Sequence, residues 1–200
     1  MFTMKEARLD FEKDELVVPN TCTPSPLNFS NMQLTDGGGL KIETTDMDNA
    51  RLYFHFDTGS YSSELPADWL RRHRQVVESA GTPDSLRTAG MGGISIRTVY
   101  KLPGYPLRLG RGETRLDTVV VNTGINPRTG QEEKNVLSGT DSGTGIIGLD
   151  LVERFAKVII NFRDMYTEGI PRQEKPCGYP PVSSAWKTAA PAEKAKTASQ

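Results

Sequence analysis

Residues 50–56, ARLYFHF, alternate apolar and polar side chains and run without a break into Asp57-Thr58-Gly59-Ser60. A period of two places Leu52, Phe54 and Phe56 on one face of a strand and Arg51, Tyr53 and His55 on the other. Residues 40–45, LKIETT, form a similar run after Asp36-Gly37-Gly38-Gly39, and Asp46 to Asn49 join the two. The spacing predicts a β-hairpin whose second strand ends at Asp57.

The rest of the chain continues in the same style. Leu86 to Tyr100 reads as a hairpin with glycines at its tip. Tyr105–Leu109 and Thr114–Val121 form another around Gly110-Arg111-Gly112. A helix is expected over 66–80, with Pro66 at its first position and Gly81 at its C-terminal stop. Trp69, His73, Val76, Val77 and Ala80 share its inner face, and Arg71, Arg72, Arg74 and Glu78 are solvated. Glu64 and Asp68 stand at its start, where they complement the helix dipole. Ile146-Ile147-Gly148 is a short buried strand, Asp150 to Phe155 a short helix and Lys157 to Phe162 a strand. Residues 1–18 offer an edge strand or short helix, 19–26 a proline-rich loop, and 122–144 a long polar loop.

Composition bounds the alternatives. The chain has 200 residues, 36% of them hydrophobic, and a net charge of −1 from 24 basic and 25 acidic side chains. No basic patch is interleaved with aromatics, so nucleic acid is not an expected partner. Cys22 and Cys177 could pair, but two cysteines make no disulfide framework. The two histidines, His55 and His73, are not spaced with cysteine as zinc ligands, and no metal or cofactor is expected. No apolar run is long enough to span a bilayer. Residues 1–10, MFTMKEARLD, have no apolar core or cleavage site of a leader. The expectation is a soluble protein, periplasmic or secreted if a leader preceded residue 1. Beyond residue 169 the composition turns to Pro, Ala, Lys, Ser and Thr, which cannot bury a core and reads as a disordered tail.

The chemistry centres on Asp57. Two carboxylates close enough to share a proton cannot both ionise, so one serves as general base on water and the other donates to a carbonyl. Such a pair titrates as a unit. Each carboxylate needs a sharp turn after a strand. Thr58 can anchor the turn by its hydroxyl, Gly59 lets two backbones approach without a Cβ clash, and Ser60 can hydrogen-bond the outer carboxylate oxygen. A bare Asp-Thr-Gly is also an ordinary turn sequence. The order of the motifs around it makes the difference. Ala89-Gly90-Met91-Gly92-Gly93-Ile94 offers a glycine-rich hairpin tip, and Gly145-Ile146-Ile147-Gly148-Leu149-Asp150-Leu151 an apolar strand with a glycine that permits close packing.

In these three ordered motifs, and in the strand KVIINF over 157–162, the chain resembles the retropepsin family of aspartic proteases, and within it the bacterial, Bacteroidetes-type aspartyl proteases. The resemblance covers roughly residues 40–164. It implies a mainly β, single-lobed, closed β-barrel with one or two short helices. It also implies an N-terminal extension over 1–35, a protease domain over 36–169 and a tail over 170–200. Asp57 would be catalytic, with Thr58, Gly59 and Ser60 supporting the turn. Gly90, Met91, Gly92, Gly93 and Ile94 would form a flap over a peptide substrate, and Ile146, Ile147 and Gly148 a structural strand behind the site. The implied activity is peptide-bond hydrolysis by a homodimer.

The chain departs from the viral members in three ways. A helix separates Asp57 from the glycine-rich hairpin, residues 122–144 form an insertion, and Leu149 replaces an Arg that bears on dimer contact. Asp141-Ser142-Gly143 could be a second catalytic turn, but no apolar strand precedes it and too little chain follows to build a second lobe. The second carboxylate is therefore expected from Asp57 of another copy, which a two-fold axis brings face to face with the first. The alternative is a non-catalytic module that binds a peptide or partner on the same fold.

Overall fold

The computed structural model describes residues 4–26, 30–36, 38–46, 48–90, 93–125, 127–131 and 143–172. Twelve strands occur among them: β1 Glu6–Asp10, β2 Glu15–Val17, β3 Met32–Leu34, β4 Leu40–Thr45, β5 Arg51–Phe56, β6 Glu64–Leu65, β7 Thr82–Gly90, β8 Gly93–Leu109, β9 Gly112–Asn122, β10 Thr144–Ile147, β11 Phe155–Asn161 and β12 Tyr166–Pro171. Three short helices accompany them: α1 Ala67–Arg72, α2 Arg74–Ala80 and α3 Leu149–Val152. None of the described helices is long and apolar enough to cross a membrane.

The predicted hairpins form. β4 and β5 pair antiparallel from Leu40↔Phe56 to Thr45↔Arg51. β7 and β8 pair from Thr82↔Lys101 to Gly90↔Gly93, and β8 and β9 from Val99↔Asn122 to Leu109↔Gly112. β8 is one continuous strand that serves both of the latter hairpins. One predicted hairpin ends at Tyr100 and the next begins at Tyr105, but the ladder runs on between them, and Gly104 takes the positive φ of 62° that a glycine tolerates.

The closed barrel does not form. The strands lie in two open sheets, one ordered β3-β4-β5-β10-β6-β9-β8-β7 and the other β12-β11-β1-β2. The physical reason lies in residues whose patterns were weak or unread. β12 had no sequence signal, and β1 takes an interior place between β11 and β2 rather than an edge. These strands complete a second sheet of their own instead of extending the first. The sheets meet at a corner, where Asn31 mimics a strand partner: its side-chain amide donates to Thr167 O (2.9 Å) and its Oδ1 accepts the Thr167 N–H (2.8 Å). The Met32 N–H donates to Met165 O nearby (3.2 Å). One apolar core spans both sheets, from Met32, Ile42 and Phe54 to Phe155, Val158 and Ile160. Gly112 lets the β8–β9 turn press on β12, because a Cβ there would lie 1.9 Å from Gly169 O.

The predicted single helix over 66–80 is instead two. His73 breaks it with φ −116° and ψ 25°, and Pro66 is the extended residue before α1 rather than its first turn. A buried carboxylate explains the break. Asp46, in the β4–β5 turn, accepts hydrogen bonds from Trp69 Nε1 (2.7 Å) and Tyr105 OH (2.6 Å), and its Oδ2 lies 2.9 Å from His73 Nε2. The His73 ring stacks on Trp69 at 4.5 Å. Burial and the neighbouring Asp46 carboxylate push the Tyr105 hydroxyl far above its ordinary range. Trp69 and Val77 are buried as expected, whereas Ala80 is exposed.

Acid should weaken the second sheet. Asp10 faces Lys157 across the β1–β11 ladder at 3.0 Å. The Lys157 hydrogen bond holds the Asp10 carboxyl below its ordinary 3.8, against the opposing effect of burial. Asp164 is likewise held down by Arg163. A depressed carboxyl contributes stability that is present above the unfolded pKa and lost as pH falls through the folded one. The melting temperature is therefore expected to drop between about pH 4 and pH 2, and Asp10→Asn to shrink that drop. An unchanged acid limb in the variant would remove Asp10 from the explanation.

Candidate active site

The turn at Asp57 is built by three segments. β5 delivers it, β10 lies parallel to β5 with Ile147 opposite Phe56, and the chain then returns through β6. The Asp57 N–H donates to Ile147 O at 3.0 Å, so the ladder continues one residue past the strand. The Ser60 N–H donates to Asp57 O at 3.1 Å and closes the turn. The Gly59 N–H donates to Asp57 Oδ1 at 2.9 Å and orients the carboxylate. Asp57, Thr58 and Gly59 are exposed and Ser60 is half-buried.

Gly148 is the residue that lets the supporting strand approach. A Cβ at this position would lie 2.7 Å from Ser62 C, 2.8 Å from Ser62 O and 2.9 Å from Ser60 O. All three are backbone atoms, which cannot swing aside. Around it, the Leu149 N–H donates to Ser60 O and the Asp150 N–H to Tyr61 O, both at 2.9 Å. The Gly148 N–H donates to Ser63 Oγ at 3.0 Å, and Ser63 Oγ donates in turn to Asp150 Oδ1 at 2.6 Å. The Ser63 N–H also donates to the Asp150 carboxylate, at 2.9 and 3.0 Å to its two oxygens. Asp150 thus ties α3 to the segment after the Asp57 turn. In the sequence it stands only as part of the motif Gly145-Ile146-Ile147-Gly148-Leu149-Asp150-Leu151. Its signal was an acidic residue in the first turn of a helix that follows a strand-ending glycine.

Gly148→Ala is expected to lower stability by about 1–3 kcal/mol through overpacking and to shift the Asp57 turn. Chemical denaturation of the variant checks this. A stability equal to the parent would show that the approach is looser than these distances require.

Two predicted contacts differ. The Ser60 hydroxyl donates to Ser62 O (3.0 Å) rather than to the Asp57 carboxylate. Its reach is taken by the local turn, which satisfies a backbone carbonyl first. Glu64 does not cap a helix: it is buried in β6 and forms a bidentate pair with Arg97 of β8, both N···O distances being 3.0 Å. Of the hairpin tip, Gly90 and Gly93 are opposed in the ladder and Ile94 is exposed, while Met91 and Gly92 lie outside the described residues, as do Asp141, Ser142 and Cys177. Ile146 is half-buried and Ile147 buried.

The Glu64–Arg97 pair reports the shape of the sheet. His55, Ile146, Glu64, Val120 and Lys101 are successive register partners, so their side chains share one face. Asp57 is two residues beyond His55 and Arg97 four residues before Lys101, which puts both on that face. In a flat sheet Arg97 would stand about 13 Å along and 10 Å across from Glu64, roughly 16 Å away. A bidentate contact between side chains standing on one face is incompatible with that separation. The sheet therefore curls, as twisted sheets do, and the β7–β8 hairpin bends over the face that carries Glu64 and Asp57.

Asp46, Asp48 and His73 offer ligand atoms within 4.8 Å of one another. Both oxygens of Asp46 already accept or face hydrogen-bond donors from Trp69, Tyr105 and His73, which is the arrangement of a satisfied polar core rather than of a metal centre. No family model and no curated protein matches the chain.

Proposed function

We propose that this protein is an aspartic-type endopeptidase of retropepsin-like ancestry that acts as a homodimer. The observation that carries the reading is the Asp57 turn itself. Its carboxylate is exposed, is oriented by the Gly59 N–H, and rests on a strand whose glycine allows backbone contact beneath it. Asp57 of each subunit would form the dyad, with one carboxylate activating water and the other, protonated, polarising the scissile carbonyl. The water's oxygen adds to the carbonyl carbon, its proton goes to the basic carboxylate, and the amine leaves with a proton from the dyad. Thr58, Gly59 and Ser60 hold the turn. Gly90 to Ile94 would cover an extended peptide bound by main-chain hydrogen bonds, and the curl of the β7–β8 hairpin supports that role.

The test is cleavage of a diverse peptide library from acidic to neutral pH, with a transition-state mimic of the pepstatin type as inhibitor. Cleavage that the mimic blocks is expected. Cleavage insensitive to it would sink the aspartic mechanism. The second reading, a peptide-binding module, is favoured by β7, an exposed nine-residue edge strand that could accept a further strand. A chain that stays monomeric at high concentration and leaves the library uncut would support it.

A further inference from the structure

The described residues contain one buried side-chain nitrogen with no hydrogen-bond partner, Arg97 Nε. Its environment makes this informative. Arg97 and Glu64 expose only 7% and 5% of their side chains, and Nη1 and Nη2 are both committed to the Glu64 carboxylate. The third donor of the guanidinium is left over. An unmade hydrogen bond to a buried charged group is costly, and native proteins rarely tolerate one without a use. The pair stands on the Asp57 face, under the curled base of the glycine-tipped hairpin and one strand beyond β10.

We infer that Glu64 and Arg97 form a specificity subsite that reads an uncharged carboxamide side chain, Asn or Gln, of a bound peptide. The inference rests on the proposed peptide-binding role of this face. The chemistry selects the class. The two charges already neutralise each other, so an incoming carboxylate would face Glu64 and an incoming ammonium would face Arg97. A carboxamide meets both. Its oxygen accepts the Arg97 Nε–H, and its NH2 donates to a spare lone pair of the Glu64 carboxylate. A site built to hydrogen-bond such a group also rejects analogues that leave it unpaired. Access requires the hairpin to lift.

The experiment measures equilibrium binding of peptides that differ at single positions to the full-length Asp57→Asn chain, which keeps the subsite and removes cleavage. Asn or Gln at one position is expected to bind about tenfold more tightly than Ala, Asp, Glu or Lys there. Arg97→Lys keeps the charge and deletes Nε–H, and it should erase that preference. Glu64→Met/Arg97→Met replaces the pair by apolar side chains and should erase it too, even if the lysine variant does not fold. The inference is overturned if no position favours a carboxamide, or if the preference survives either substitution. The catalytic reading fails separately. Wild-type protein that binds carboxamide peptides without cutting them keeps the subsite and loses the peptidase, while Asp57-dependent cleavage with no residue preference does the reverse.

Discussion

Replacing Asp57 by Asn is expected to lower peptide cleavage by about 10^2- to 10^4-fold, the contribution of a positioned acid–base group. The melting temperature should move by no more than about 2 °C, because Asp57 is exposed and an amide oxygen can still accept the Gly59 N–H. That separation of activity from stability distinguishes a reacting group from a turn-forming one. Mixing sharpens the test. If two chains share one active site and exchange subunits, an equimolar mixture with the variant leaves only about a quarter of the dimers with two Asp57 residues. Activity per wild-type chain should then fall to about half. A mixture in which wild-type activity is untouched would mean that each chain works alone or that subunits do not exchange; a parallel sedimentation run tells these apart. Retained cleavage in the pure variant would end the proposal.

Arg97→Met should lower stability by about 3–5 kcal/mol, because it strands the buried Glu64 carboxylate without its partner. Adding Glu64→Met is expected to recover most of the loss. A buried ion pair recovers little more than its desolvation cost, so two apolar side chains of similar length can replace it almost neutrally. Denaturant unfolding of the two variants measures the difference. Equal stability of the single and double variants would show that Glu64 is not held charged and paired in the folded chain. The same pair fastens β8 to β6, so its loss should also loosen the hairpin over the Asp57 face. Faster amide exchange along β7 and the first half of β8 is the expected sign.

The sequence by itself determined the local elements and the place of the Asp57 turn. Alternation over residues 40–45 and 50–56 dictated the β4–β5 hairpin, because a period of two leaves one face apolar only in a strand. Glycines marked the β8–β9 turn at Gly110 and Gly112 and the close approach at Gly148, because only a residue without Cβ fits there. Asp57-Thr58-Gly59-Ser60 stood at the strand end where it was placed. Tertiary structure decided the rest. β1, β3 and β12 carry weak patterns of their own and become strands by pairing with β11 and β4. The second sheet depends on β1 meeting β11, which lies about 150 residues further along the chain. The break at His73 depends on a carboxylate from another hairpin, and the burial of Glu64 depends on an arginine 33 residues away. Charged side chains read as solvated in a one-dimensional pattern; only the curl of the sheet brings Glu64 and Arg97 together and away from water. The Asp57 turn was legible because its chemistry is local. Its surroundings were not, because they are assembled from across the chain.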